Sequence, residues 1–444
     1  MTISRLIAGF HGLGGATTDA PVPIRRAVRG RANHVGVARE NFRVSVVDAA
    51  FAGHAVAYLV GPLDDLDDPE RLRLRLRAIA QGGPPNRIGL LPDPNHRRWR
   101  FDSTCSSVAV CEGPAIDSDD PARTLQHLIA AGPQVPDVSL RVHVADPWLF
   151  IVYDHGLGGW RLFAEIMAAV GAAEPGFAHP PPLVNCRNPG LRATIRAVRT
   201  EPWQLLKALN EPVRKLRRAG GTMTSFAGTL SVAYARSGAG FLTRAREIRD
   251  MYWPGVSISA IITSSFLRSL ESHGITPEEQ VSFMVDLNRY LPPDVGTLSN
   301  FVGTALVSVS PPYDPAEIAA STKDYTNGFR ALVGYGVGYA RRLASRPAKK
   351  GVWNSGSSRA RVVVSDGSDL PSAQRISWST STSPHVFVTR LPVGLANQIS
   401  LAINRVQSEL HVTASYYDCV FDAAKLQASL DSIVAAPPCP LVEK

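Results

Sequence analysis

This 444-residue chain has no long apolar run. A bilayer-spanning helix needs about 20 predominantly apolar residues, so stable membrane insertion is not expected. Near the start, Leu6–Phe10 is too short, and too soon interrupted by His11, to read as a secretory signal. Cysteine is scarce: Cys105, Cys111, Cys186, Cys419 and Cys439 are odd in number and form neither a CxxC pair nor a zinc-spaced set with histidine. A disulfide scaffold and a metal site are therefore not expected, and the thiols read as those of a reduced, cytoplasmic protein. Lysine is rare too, so the net charge of +9 rests on arginine. A GC-rich genome favours that usage, and it also leaves open a basic surface for phosphate-bearing or acidic partners. Finger, RNP-like and basic-zipper patterns are absent, which argues against nucleic acid.

What remains is a globular composition, 45% hydrophobic and 19% charged. The length exceeds one ordinary core, so two lobes are expected, 1–180 and 181–444, with the Pro- and Asn-rich stretch 174–190 as linker. The pattern over 41–60 alternates well enough for one or two strands. A helix is predicted over 70–79, from Leu72, Leu76 and Ile79 at helical spacing. Strands follow at 98–101, 108–110, 138–144 and 148–153, then a helix over 161–170. Beyond the linker, 191–218 reads as Arg-studded helices broken at Pro202 and Pro212, and no apolar face clean enough for a membrane surface can be drawn on it. Further on come a helix over 257–273, strands at 281–286 and 301–310 and a helix over 315–332. Gly334–Gly338 reads as a flexible turn, since it lacks the spacing and flanking strand of a nucleotide loop, and 346–360 as an exposed loop. A strand at 361–365, more strands to about 390, a strand at 409–416 and a helix over 423–434 complete the chain.

One motif carries chemistry. In Trp148-Leu-Phe-Ile-Val-Tyr-Asp-His-Gly-Leu-Gly-Gly-Trp160 an apolar strand runs into a glycine-rich turn and then a helix. His155 sits at the hinge, and a histidine there can serve as a general base because its ordinary pKa lies near neutrality. The pentapeptide alone decides little: His11–Gly15 repeats His155–Gly159, without the long strand before it or the amphipathic helix after it. Neighbouring side chains on a strand point to opposite faces, so Asp154 is expected to be a structural acceptor, not the partner that orients His155. Gly156, Gly158 and Gly159 suit a tight turn.

Five segments in order give that motif a context. Tyr58–Asp64 followed by a Leu/Arg helix, Tyr153–Leu162, Val285–Pro293 with Ser299–Gly303, Val362–Gly367 and Ser415–Asp422 together resemble the chloramphenicol-acetyltransferase-like superfamily, which includes condensation domains, polyketide-associated acyltransferases and wax-ester synthases. The likeness covers nearly the whole chain. It implies an α/β fold of two lobes in a V around a central tunnel. It also implies acyl transfer from a coenzyme A or carrier-protein thioester, consumed as substrate with no permanently bound cofactor, to an amine or hydroxyl of a small-molecule acceptor. His155 aligns with the catalytic second histidine of the HHxxxDG motif, supported by Asp154, Gly158, Gly159 and Trp160. Asn300 and Ser365 match positions near the tunnel, where they would meet a thioester carbonyl or a pantetheine amide. The chain is expected to act as a monomer.

The sequence departs from the motif. Asp154 fills the first histidine slot, and the motif aspartate is missing whether Gly159 stands in its place or the loop is one residue short. That aspartate pairs in the family with an arginine, here Asn288 with Arg289 beside it. Losing both partners together can be near neutral, whereas losing one strands a buried charge, so a loop re-engineered for stability is expected. Two other readings stay open: cyclisation or epimerisation of a bound intermediate on the same fold, and a degenerate scaffold that docks a carrier protein.

Overall fold

A computed structural model describes residues 40–64, 66, 68–114, 116–131, 138–170, 184–186, 188–211, 228–344, 357–368, 376–382 and 384–437. The His11–Gly15 copy, most of the expected linker, the loop at 346–356 and Cys439 lie outside them. Two sheets dominate. In the five-stranded sheet the order is 386–390, 55–61, 148–154, 140–145, 108–112. All its pairings are antiparallel except the last. The strand Trp148–Asp154 lies at its centre, and its run Leu149–Tyr153 is wholly buried because both faces are covered. Leu149, Ile151 and Tyr153 enter one cluster with the helix residues Leu162, Phe163 and Ile166, while Phe150 and Val152 enter another with Leu125 and Leu128. The period-two alternation of a strand thus feeds two separate cores. Strand Val386–Arg390 comes from the C-terminal part, so the expected division at 180/181 is crossed by one strand.

The six-stranded sheet runs 302–308, 277–286, 360–366, 398–406, 409–417, 230–236, with its two parallel pairings on either side of 360–366. Ile399, Leu401 and Ile403 point into the larger core, under the helices Ile258–Ser272 and Ala423–Ala435. The opposite face of this sheet is buried but polar. Asn404 donates to Thr389 Oγ1 (3.1 Å), Thr413 Oγ1 accepts from Thr389 N (3.3 Å) and Ser415 Oγ accepts from Leu391 N (2.9 Å). The two sheets meet along this seam of matched hydrogen bonds, as buried polar groups require.

Four expectations change. The stretch 41–60 is not continuous strand: Ser45 caps a short helix, Val46–Phe51, through a capping box with Asp48. The strand Gln398–Val406 was not anticipated, although its alternation of Ile399, Leu401 and Ile403 with polar or small residues is the period-two signal. The helix expected over 315–332 is two, Pro315–Asn327 and Arg330–Ala344, separated at Gly328 and at Phe329, whose φ is 56°. Gly334–Gly338 is no turn but lies inside the second of these helices. Packing outweighs glycine's poor helix propensity there: Tyr335 seats its ring edge-on against Phe301, 5.1 Å between centroids.

A Cβ at Gly334, Gly336 or Gly338 would meet nothing within 4 Å. Replacing each by alanine is therefore expected to stabilise the protein by about 0.5–1 kcal/mol per site, read as a rise in the urea midpoint at unchanged m-value.

Candidate active site

The register of the five-stranded sheet brings two histidines together. Ala55 pairs with Asp154, so His54 and His155 follow at adjacent positions where the two strands end. The His155 amide donates to the His54 carbonyl (2.7 Å). His155 opens a single 3-10 turn, His155–Leu157, before the helix Trp160–Val170. Asp154 caps that turn: its carboxylate accepts from Gly156 N (2.8 Å) and from Gly53 N (2.7 Å). Burial pushes Asp154 up to about 6, opposed by those two N–H groups.

The His155 ring is fixed on several sides. Its Nδ1–H donates to the Gly158 carbonyl at 3.1 Å, which leaves Nε2 as the lone-pair nitrogen. The Phe51 ring packs on it at 4.4 Å. Burial drives its pKa down to about 4, against the Gly158 hydrogen bond, and the nearby His54 adds to the lowering. At neutral pH it is an uncharged imidazole. Gly158 is required sterically, since a Cβ there would stand 2.3 Å from the Leu298 carbonyl.

The loop carries an ion pair after all, built from other residues than expected. Asp48 and Arg87 are 0% and 4% exposed and meet at 2.9 Å. Arg87 also donates to the carbonyls of Leu157 (2.5 Å) and Gly156 (3.2 Å). The other Asp48 oxygen accepts from Asn300 N (2.8 Å), and Asn300 Nδ2 donates to the His155 carbonyl (2.7 Å). Asn288, in the expected arginine slot, bonds instead to Asp286 (2.7 Å) and accepts from Thr297 N. Arg161, on the helix after the motif, reaches across to Asp286 at 2.8 Å.

These groups surround a cavity of about 220 Å³ between the two sheets. His155, Gly159, Trp160, Asn300 and Ser365 line it; Asp154 and Gly158 stand behind it as supports. The walls are mostly apolar, from Phe51, Val56, Tyr58, Met284, Phe301 and Leu391. Trp160 spans the sheets: its Nε1–H donates to the Gly367 carbonyl at 2.7 Å while its ring packs on Phe163 and Phe387. Asn300 Oδ1 is buried with no hydrogen-bond partner. Its Nδ2 is engaged by the His155 carbonyl, and its Oδ1 lies against Gly159. No cluster of three or more potential metal ligands occurs among the described residues.

Sequence reasoning did not find His54, Asp48 or Arg87. Asp48 had a local signal, the Ser45-x-x-Asp48 capping box. His54 and Arg87 had none, since only strand register and chain reversal bring them to His155.

Solved structures of similar fold exist. The fold is chloramphenicol-acetyltransferase-like. The condensation domain of the Monacolin K polyketide synthase MokA matches at TM-score 0.57 and 13% identity, over 90% of this chain and 96% of that one. The TRI3 trichothecene 15-O-acetyltransferase from Fusarium sporotrichioides matches at 0.55 and 12%, over 89% and 95%. The nonribosomal peptide synthetase FmoA3 matches at 0.58 and 15%, over 89% of this chain but only 43% of the synthetase. This chain therefore spans less than half of that protein's length. No family model matches the sequence, and no curated protein is similar to it in sequence.

Replacing Arg87 by Met leaves Asp48 buried and uncompensated, and a loss of about 3–5 kcal/mol is expected. Adding Asp48→Asn should recover part of it. Chemical denaturation of the two variants checks both the loss and its partial repair.

Proposed function

We propose that the protein is an acyltransferase, moving an acyl group from a coenzyme A or carrier-protein thioester to an amine or hydroxyl. The observation that carries this reading is the state of His155: on the cavity wall, neutral, with Nδ1–H committed to Gly158 and Nε2 left as a base. Nε2 accepts the acceptor's proton as its nitrogen or oxygen attacks the thioester carbonyl. The tetrahedral adduct then collapses, the C–S bond breaks and the thiol leaves, carrying the proton that balances the reaction. Asn300 holds the His155 carbonyl and so steadies the turn, and the role we propose for the Ser365 hydroxyl, on the cavity wall of the opposite sheet, is to donate to the developing oxyanion. The apolar walls suit the acyl chain or an apolar acceptor. The likeness to condensation domains and to an acetyltransferase supports this class of chemistry. We further propose that it works in specialised metabolism and in the cytoplasm.

Cyclisation is the second reading, favoured by a fold likeness (TM-score 0.59, 13% identity) to the EpoB cyclization-docking bidomain from Sorangium cellulosum. Product mass separates the two, since acyl transfer adds the acyl mass to the acceptor.

Assayed against a panel of acyl thioesters and amine or alcohol acceptors, His155→Ala is expected to lower kcat/KM by about 10²–10⁴-fold. Undiminished turnover would overturn the assigned role. The pH profile gives a second check. The working form is the neutral imidazole and burial lowers its pKa, so kcat/KM should stay level through the region near 6.5 where a free histidine titrates. In an Asp154→Asn background, which removes the turn-capping carboxylate that titrates at about 6, it should fall only as pH approaches about 4.

A further inference from the structure

The helices Pro189–Thr200 and Pro202–Asn210 are turned inside out relative to an ordinary surface helix. Their small residues face the protein: Ala193, Ala197 and Ala208 are buried, with Leu205 beside them. Their large apolar residues face away. Leu191 is 59% exposed and Trp203 80%, and Ile195, Val198, Leu206 and Leu209 are exposed as well. At 3.6 residues per turn, Leu191, Ile195 and Val198 form one stripe opposite the two buried alanines. Trp203 and Leu206 continue the outer surface on the second helix, opposite Leu205 and Ala208. Isolated exposed apolar residues need no explanation, but a contiguous set along two helices marks an interaction face.

The polar residues on this face have a sign. Arg192, Arg199 and Lys207 are exposed among the apolar side chains, and Glu201 is the one acidic residue between 189 and 210. Arg196 is turned inward, donating to the Leu291 carbonyl. Leu, Ile, Val and Trp flanked by Arg and Lys is the make-up of a helix lying in the headgroup region of a bilayer, with the tryptophan at the interface. The face is the outer side of two helices, not a groove. A deformable lipid surface fits it without the shape complementarity a folded partner would need. No helix among the described residues is long and apolar enough to cross a membrane, so the attachment is peripheral.

We infer that this helix pair docks the protein onto membrane surfaces rich in anionic lipid, independently of the acyl-transfer chemistry proposed above. The test is flotation of the full-length protein with vesicles of phosphatidylcholine alone and of phosphatidylcholine mixed with phosphatidylglycerol. Binding is expected to the mixed vesicles, with little to the neutral ones, and to weaken as salt is raised. Trp203→Glu and Ile195→Glu should each lower binding by more than about tenfold, and Arg192→Gln or Arg199→Gln by roughly fivefold. These residues are exposed, so the melting temperature should not move, and the milder Trp203→Ser serves if a glutamate variant misfolds. Absence of binding to the mixed vesicles, or binding that all these variants retain, overturns the inference. So does a lipid-free dimer that Trp203→Glu converts to monomer, since the face would then be a self-interface. Capture of a purified acidic carrier protein that depends on Trp203, without vesicle binding, overturns it as well.

Discussion

The ion pair between Asp48 and Arg87 governs the geometry of everything around His155. Neither partner belongs to the motif strand, yet between them they engage the helix cap at Ser45, the carbonyls of Gly156 and Leu157 and the amide of Asn300. A buried pair of this kind contributes little net stability, because the cost of removing two charges from water nearly offsets their attraction. Its effect is positional. Both Asp48 oxygens and two guanidinium nitrogens are committed, so the turn after the strand has few other arrangements that leave no buried charge unpaired. Arg87 accepts a left-handed backbone, φ 71°, within this arrangement; for a residue other than glycine that is an uncommon conformation. The turn is thus supported from outside its own segment, by a carboxylate and an arginine from two other parts of the chain that meet beneath it.

The second constraint is the closure of the cavity between two sheets that touch through polar seams. Trp160 is hydrogen-bonded to Gly367, and Arg161 is paired with Asp286, so successive residues of one helix each reach the opposite sheet. Gly367 is needed for this contact, because a Cβ there would stand 2.1 Å from the indole ring. Directional contacts of this sort fix spacing as well as affinity. The width of the cavity is therefore set by the helix that directly follows the histidine turn, which couples the placement of His155 to the shape of the space it serves.

Elements with local signals were legible in the sequence. The buried strand Trp148–Asp154 and the helix after it were read from apolar pattern, and His155 from its place at their junction. The order of five weak segments then pointed to the fold. Contacts made by chain reversal were not legible. Arg87 lies 70 residues from Leu157, and nothing near it in sequence announces a buried guanidinium. His54 follows a glycine before an ordinary strand, and only the pairing of Ala55 with Asp154 reveals its neighbour. The glycines of 330–344 misled because local propensity was weighed without the packing of Tyr335. The outer face of 189–210 was missed for a related reason: periodicity finds the apolar stripe but not which way it points, and alanines do not look like a core.

The neutral state of His155 bears on when a proton can move. An imidazole whose pKa has fallen to about 4 holds a proton less readily than free histidine, so it cannot strip one from an acceptor in advance. It can accept one only as the nucleophile's own acidity rises, which happens once its bond to the carbonyl carbon has begun to form. In the role proposed for it, His155 must then be held together with the attacking atom during attack, and orientation matters more than basicity. That is the kind of demand the surrounding structure meets. The ring is hydrogen-bonded at Nδ1, packed by Phe51 and carried on a turn whose carbonyls are held by Arg87 and Asn300. The turn supplies what a base in that role needs, a fixed direction for the ring, while the upward pull of the Asp48 carboxylate on its pKa is outweighed by burial.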